Sequence, residues 1–315
     1  YLYSGTLTSP VPGAPFPAAM LITWSGWQDR DECIAGHQPF AVIADYLRRR
    51  GYAVLRVDDR GIGSSTGDLS KATSLDFAKD VEAGIHQLQN RKDIDQKRIG
   101  LIGHSEGGLI AAIVASENSS LDFIIMLAGT GLKGRALLSL QVEAIAESQG
   151  AGVETAAALK RQRSVLMQAL LSSSDSSIQM REAWKSYLSW KANTNPAIVS
   201  ALGLSDETIS RNQLQEQLHQ MNNPWMIYFL QTDPAIFISK LHCKVLALNG
   251  SRDIQVAPDQ NLAAINIALK KSSATIYSTE KIPGLNHLFQ QCKTCTVQEY
   301  GQLEETFAPE ALQIM

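Results

Sequence analysis

Residues 98–116 read Arg-Ile-Gly-Leu-Ile-Gly-His-Ser-Glu-Gly-Gly-Leu-Ile-Ala-Ala-Ile-Val-Ala-Ser: a short apolar run, a serine between glycines, and an alanine-rich stretch. The run predicts a buried strand and the alanine-rich stretch from Gly108 to Ser116 a helix. Between them the pattern Gly103-His104-Ser105-Glu106-Gly107 predicts a turn too sharp for bulky neighbours. A serine there occupies strained backbone and lifts its hydroxyl clear of the sheet. The N–H of Glu106 is then placed to hold a negative oxygen.

The rest of the chain alternates apolar strands with helical periods. Leu2–Leu7 suggests an edge strand, followed by a loop through Pro10, Pro12, Gly13, Pro15 and Pro17. Ala18–Trp24 and Tyr52–Val57 read as buried strands, with a helix through Phe40, Ile43, Ala44 and Leu47 between them, closed by Gly51. A helix over Leu75–Leu88, strands at Phe123–Leu127 and Lys244–Gly250, a helix over Pro258–Leu269, a strand near Ala274–Tyr277 and a helix from Pro309 complete the set. Strands that are apolar throughout and alternate with helices imply a mostly parallel sheet covered on both faces. Right-handed crossovers bring the loops after Trp24, Val57 and Ile102 to one sheet edge, where ligands bind in such folds.

Residues 133–240 differ. They show helical periodicity without clear strands: Leu159, Leu166 and Leu170 mark one face, Met180, Trp184, Tyr187 and Leu188 another, and the polar run Ser172–Ser177 connects them. This predicts a helical insertion, with 1–132 and 241–315 forming the α/β core.

Composition excludes several classes. With 28 Lys and Arg against 31 Asp and Glu the net charge is −3 and no basic run occurs, which argues against nucleic acid as a partner. No apolar stretch approaches the length of a membrane span. Cys292-Lys293-Thr294-Cys295 lacks a second ligand pair for zinc and the strand–helix setting of a redox site, so no metal is expected. A structural disulfide, from Cys292–Cys295 or involving Cys33, fits an exported protein, and Cys243 completes the four cysteines.

A serine hydroxyl needs a base, and the base an orienting acid. Of six histidines, His37, His86 and His104 precede Ser105, His219 sits among polar helical residues, and His242 precedes a strand at the far edge. His287, in the loop Pro283-Gly284-Leu285-Asn286-His287 after the last strand, is the expected base. Asp253, just past the strand ending at Gly250, is the expected acid; Asp259 falls in a first helical turn, where a carboxylate favours the dipole. The second oxyanion donor, beside Glu106, is expected from Ser25-Gly26-Trp27, at the Trp27 N–H. Asp59 and Arg60 are expected to pair within their turn.

These segments resemble the α/β-hydrolase superfamily, close to bacterial carboxylesterases of the dienelactone-hydrolase-related branch. The resemblance rests on Ser25–Glu32, Asp58-Asp59-Arg60-Gly61-Ile62-Gly63-Ser64-Ser65-Thr66-Gly67, Gly103–Gly108, Leu248-Asn249-Gly250 with Asp253, and Leu285–Phe289. It implies an α/β-hydrolase fold with a helical cap between strands 6 and 7. It also implies hydrolysis of short-chain carboxylic esters through an acyl-serine intermediate, on a small-molecule ester substrate and without a cofactor. Such esterases often belong to exported bacterial sets, which an even cysteine count and a start at Tyr1 fit. Trp27 is bulkier than that family's pattern leads one to expect at its position. Three other readings use the same residues: a thioesterase or acyltransferase, a serine peptidase, for whose amine terminus residues 133–240 show no obvious acidic pair, and a non-catalytic hydrolase fold used for binding. Oligomeric state is not encoded in these patterns.

Overall fold

The computed structural model describes every residue of the chain except Pro12 and Ala14, so Pro12 of the expected proline loop lies outside the described residues. The chain divides into two compact units, Tyr1–Leu132 with Asp233–Met315, and Lys133–Thr232.

In the first unit the elements run β1 (Gly5–Thr8), β2 (Phe16–Ile22), α1 (Pro39–Arg49), β3 (Ala53–Val57), α2 (Ser74–Gln89), β4 (Ile94–His104), α3 (Glu106–Glu117) and β5 (Phe123–Leu127). The seven-stranded sheet has the order β1-β3-β2-β4-β5-β6-β7, and only β1, paired to β3, is antiparallel. Its central strands, β2 to β6, are largely buried because both faces are covered. Ala19, Leu21, Val54, Ile102, Ile125 and Leu248 pack with Phe40, Ile43 and Leu47 of α1. Alternate residues face the other way: an added Cβ at Gly84 of α2 would meet the Met20 sulfur, and one at Gly108 of α3 would meet Met126.

The second unit is helical: α4 (Gly134–Ser148), α5 (Val153–Leu170), α6 (Ser176–Ala192), α7 (Pro196–Ala201), α8 (Glu207–Met221) and α9 (Pro224–Gln231). Its core joins Leu166, Met167 and Leu170 of α5 to Ala183, Tyr187 and Trp190 of α6 and Leu214 and Leu218 of α8. Asp175 caps α6 by accepting the Ser177 and Ile178 N–H, so the polar run ends as a helix start.

The chain then returns through α10 (Ala235–Ile238), β6 (Lys244–Gly250), α11 (Pro258–Leu269), β7 (Tyr277–Ile282) and α12 (Pro309–Ile314). Three expectations are corrected. The helical segment ends at Thr232 rather than 240, because α10 packs against α3 and α11 of the sheet unit. In chain order it separates the fifth and sixth strands, not the sixth and seventh, since one antiparallel strand precedes the parallel set. The last strand lies at 277–282 rather than near 274–277; it is an edge strand whose Tyr277, Glu280 and Lys281 are exposed, so its apolar signal is faint. Pro17, expected in a loop, lies in β2 where the register with β4 shifts between Phe16 and Ala18, a place that spares a ladder hydrogen bond. No helix among the described residues is long and apolar enough to cross a membrane.

Candidate active site

Ser105 stands between β4 and α3 with φ 54 and ψ −116, a strained conformation for a residue with a Cβ. The turn needs glycine around it. A Cβ at Gly103 would lie 2.0 Å from the Gly107 carbonyl oxygen, and one at Gly107 would lie 2.2 Å from that of Ile22. Helix α3 starts at Glu106, so its positive end points at the serine. The Ser105 N–H bonds the Leu127 carbonyl at 2.8 Å, and the Ala128 N–H bonds that of Leu248 at 2.7 Å. The ends of β4, β5 and β6 are thus tied side by side at one sheet edge.

The Asp253 loop leaves β6 at this edge and the His287 loop leaves β7. Their backbones are stitched together: Ser251 N–H to Ile282, Arg252 N–H to Leu285, and Gly284 N–H to the Ser251 hydroxyl. The Asp253 carboxylate accepts the Gln255 N–H (2.8 Å) and Val256 N–H (2.9 Å) on Oδ1. Its Oδ2 meets the Asn249 amide (3.0 Å) and His287 Nδ1 (2.8 Å). Both Asp253 and His287 are buried. A carboxylate only accepts, so His287 Nδ1 donates to Asp253 and Nε2 is the ring nitrogen available to act as a base. Among the described residues no hydrogen bond joins Ser105 to His287, a link that commonly tightens only around substrate.

The other histidines are accounted for. His37 is buried between Thr306 Oγ1 and the Tyr300 carbonyl, and His86, His219 and His242 are exposed. His104 has both nitrogens engaged, Nδ1 to Glu32 Oε2 (2.9 Å) and Nε2 to the His287 carbonyl (3.0 Å). Asp259 is exposed and pairs with Lys281 at 2.6 Å.

The loop Ser25–Trp27 is pinned on both flanks. Trp24 N–H bonds Glu32 Oε1 at 2.7 Å, and Gln28 N–H bonds Asp59 Oδ2 at 3.1 Å. Trp27 itself is exposed and its N–H forms no hydrogen bond among the described residues. The Glu106 side chain is buried and accepts the Ser74 hydroxyl at 2.6 Å. The expected Asp59–Arg60 pair does not form. Arg60 turns to Asp80, while Asp59 turns inward to Thr23 Oγ1 (2.9 Å) and the Gln28 N–H. The reason is that Asp80 of α2 offers Arg60 a two-pronged carboxylate. Asp59 is pushed up to about 7, by burial first, with the Thr23 and Gln28 hydrogen bonds opposing and the nearby Glu32 and Glu106 charges adding to the rise.

Sequence reasoning missed Glu32 and Asn249 as site residues. Asn249 stands in a strand ending that belongs to the resembling segments, but nothing local marks its amide as a partner of Asp253. Glu32 stood in a charged run that reads as solvated. Cys292 and Cys295 form a disulfide, and Cys33 and Cys243 are free.

A family model described as serine aminopeptidase, S33 (Hydrolase_4) matches residues 37–146. Esterase EstD of Thermotoga maritima is 32% identical over 124 residues, 39% of this chain and 29% of that protein. An uncharacterised protein, YfhR of Escherichia coli O157:H7, is 30% identical over 95 residues, 30% of this chain and 31% of that protein. The chain thus spans about a third of the length of these curated relatives. Among solved structures, Est1E of Butyrivibrio proteoclasticus with ferulic acid aligns at TM-score 0.50 and 16% identity, covering 90% of this chain and 87% of that one. A putative dienelactone hydrolase from Klebsiella pneumoniae aligns at TM-score 0.52 and 12% identity, covering 99% and 88%. At such identities the likeness is one of fold.

Proposed function

We propose, with the α/β-hydrolase fold and its resemblance to esterases of that superfamily as premise, that this chain is a serine esterase acting on short-chain carboxylic esters. One observation carries the reading: a buried His287–Asp253 pair, 2.8 Å apart, at the sheet edge where the strained Ser105 turn emerges. The similarity to Esterase EstD supports an ester as the bond cleaved.

Ser105 Oγ attacks the ester carbonyl carbon while His287 Nε2 takes its proton. The resulting oxyanion lies against the Trp27 and Glu106 N–H groups, at the positive end of α3. Asp253 holds Nδ1–H and opposes the imidazolium charge. Collapse of the intermediate breaks the C–O bond, His287 passes its proton to the departing alcohol, and the acyl group remains on Ser105. Water then attacks by the same route and releases the carboxylic acid, restoring the serine. No step calls for a metal or cofactor.

The test is Ser105→Ala against the wild-type chain on p-nitrophenyl acetate and butyrate. Turnover is expected to fall by roughly 10³-fold or more with the fold retained. A fluorophosphonate probe is expected to label the wild type at Ser105 and to leave the variant unlabelled. Unchanged turnover in the variant overturns the assignment.

A further inference from the structure

Behind Ser105 lies a second acid–imidazole pair that the proposed chemistry does not use. Glu32 is 1% exposed although it sits in a loop, and its backbone has φ 54, strained for a residue with a Cβ. His104 is 3% exposed. Glu32 Oε2 faces His104 Nδ1 at 2.9 Å, and His104 Nε2 faces the main-chain carbonyl of His287 at 3.0 Å. A carbonyl cannot donate, so Nε2 carries a hydrogen, and the other nitrogen faces a carboxylate. Burial by itself would push this imidazole toward neutrality. The Glu32 charge and hydrogen bond, with the His287 carbonyl, reverse that and hold it above the ordinary histidine range. Both ring nitrogens of His104 thus face oxygen acceptors, one carboxylate and one carbonyl.

Apolar residues packed in the same volume would be at least as stable as such a buried pair. Its connections give it another role. Glu32 Oε1 accepts the N–H of Trp24, which leads into the Ser25–Trp27 loop. His104 precedes Ser105 in the chain, and its Nε2 grips the residue that carries the base. The Trp24 ring stacks on both imidazoles, 5.7 Å from His104 and 5.8 Å from His287, and those two lie 4.9 Å apart. One carboxylate thereby ties the oxyanion loop, the serine turn and the base loop together.

We propose that Glu32 and His104 are positioning residues: the hydrogen-bonded Glu32–His104 pair sets the place of His287 through its main-chain carbonyl and the place of the oxyanion loop through the Trp24 N–H. This rests on the esterase reading above. In the reaction neither residue touches substrate. They fix the distance across which the Ser105 proton moves, and a misplacement of about 1 Å in such a geometry costs on the order of 100-fold in rate.

The experiment combines kinetics with ¹⁵N-histidine NMR. Glu32→Ala and His104→Phe are expected to lower kcat by about 100-fold while KM stays within about twofold. Glu32→Gln is expected to recover at least about tenfold over Glu32→Ala. Its amide oxygen still accepts the Trp24 N–H, and its amide NH₂ donates to Nδ1 of a neutral His104 whose Nε2–H keeps the carbonyl. In the wild-type protein the ¹⁵N spectrum is expected to show a hydrogen on His104 Nε2, held by the His287 carbonyl, a readout that needs no variant to fold. A His104 whose Nε2 carries no hydrogen overturns the proposal, because the grip on the His287 carbonyl is then absent. So does a kcat within about threefold of wild type in folded Glu32→Ala and His104→Phe, or a loss that Glu32→Gln does not recover. Should Ser105→Ala keep its turnover, the esterase reading fails; should Ser105→Ala be dead and Glu32→Ala fully active, only the present inference fails.

Discussion

At Gly250 an added Cβ would lie 2.3 Å from the Leu285 carbonyl oxygen and 2.6 Å from that of Asn286, so the strand leading to Asp253 and the loop carrying His287 touch backbone to backbone. Gly250→Ala is expected to cost about 1–3 kcal/mol in urea unfolding, the usual range for overpacking. It is also expected to lower esterase activity beyond what the unfolded fraction explains, because the acid and the base would be pushed apart; a variant with full activity per folded molecule would contradict this. Ser105, Asp253 and His287 stand out in the sequence as candidates because each follows a strand end marked by glycine or an apolar run, and the structure joins Asp253 to His287 at 2.8 Å. Glu32 was not legible, since its partners are Trp24 and His104, the latter 72 positions away, and nothing local separates a buried acid from its exposed neighbours. Asp59 and Arg60 were misread for the same reason: adjacency in sequence suggested a pair, whereas Asp80 competes for the guanidinium from across the fold.

Strands and helices were readable wherever their apolar period was strong, as in β4, β5, β6 and α1, and faded where one face meets water, as in β7. The loop from Cys292 to Cys295 shows a short element held twice. The disulfide closes it, and Glu299 collects the N–H groups of Lys293, Thr294 and Cys295 together with the Thr294 hydroxyl. The spacing of the two cysteines suggested a bridge without choosing it over one involving Cys33. Titration of the unfolded, unreduced chain is expected to find two thiols, Cys33 and Cys243, and four after a dithiol is added. Four before reduction would exclude the bridge. Paired Cys292→Ser and Cys295→Ser changes are expected to cost only about 2 kcal/mol, because so short a loop has little closure entropy to lose.

For the molecule as a whole, the half-buried Asp59, close to the buried Glu32 and Glu106, ties stability to pH. Asp59 keeps its proton in the folded chain up to about 7, against an ordinary value of 3.8. Its contribution is therefore fully present below about pH 4 and is lost as pH rises through about 7, where the folded chain ionises a half-buried group beside Glu32 and Glu106. Asp59→Asn mimics the protonated form, its NH₂ donating to Thr23 Oγ1 and its oxygen accepting the Gln28 N–H. Its stability is expected to match wild type near pH 4 and to exceed it at pH 8 by on the order of 2–4 kcal/mol. Parallel curves across that range would refute the assignment. The division of the chain was readable in outline, since a hundred residues without strands interrupt an α/β pattern; its far boundary was not, because the short helix at 235–238 carries the same period as those before it. The helical segment also has a closed base: the Gly134 N–H bonds the Thr232 carbonyl at 3.3 Å, while the strands on either side of it, β5 and β6, are direct neighbours in register from Phe123–Lys244 to Leu127–Leu248. Such a segment is a cassette with two adjacent joints. A replacement of different length that keeps these two joints is expected to leave the β5–β6 pairing in place, and with it the scaffold that holds Ser105, Asp253 and His287.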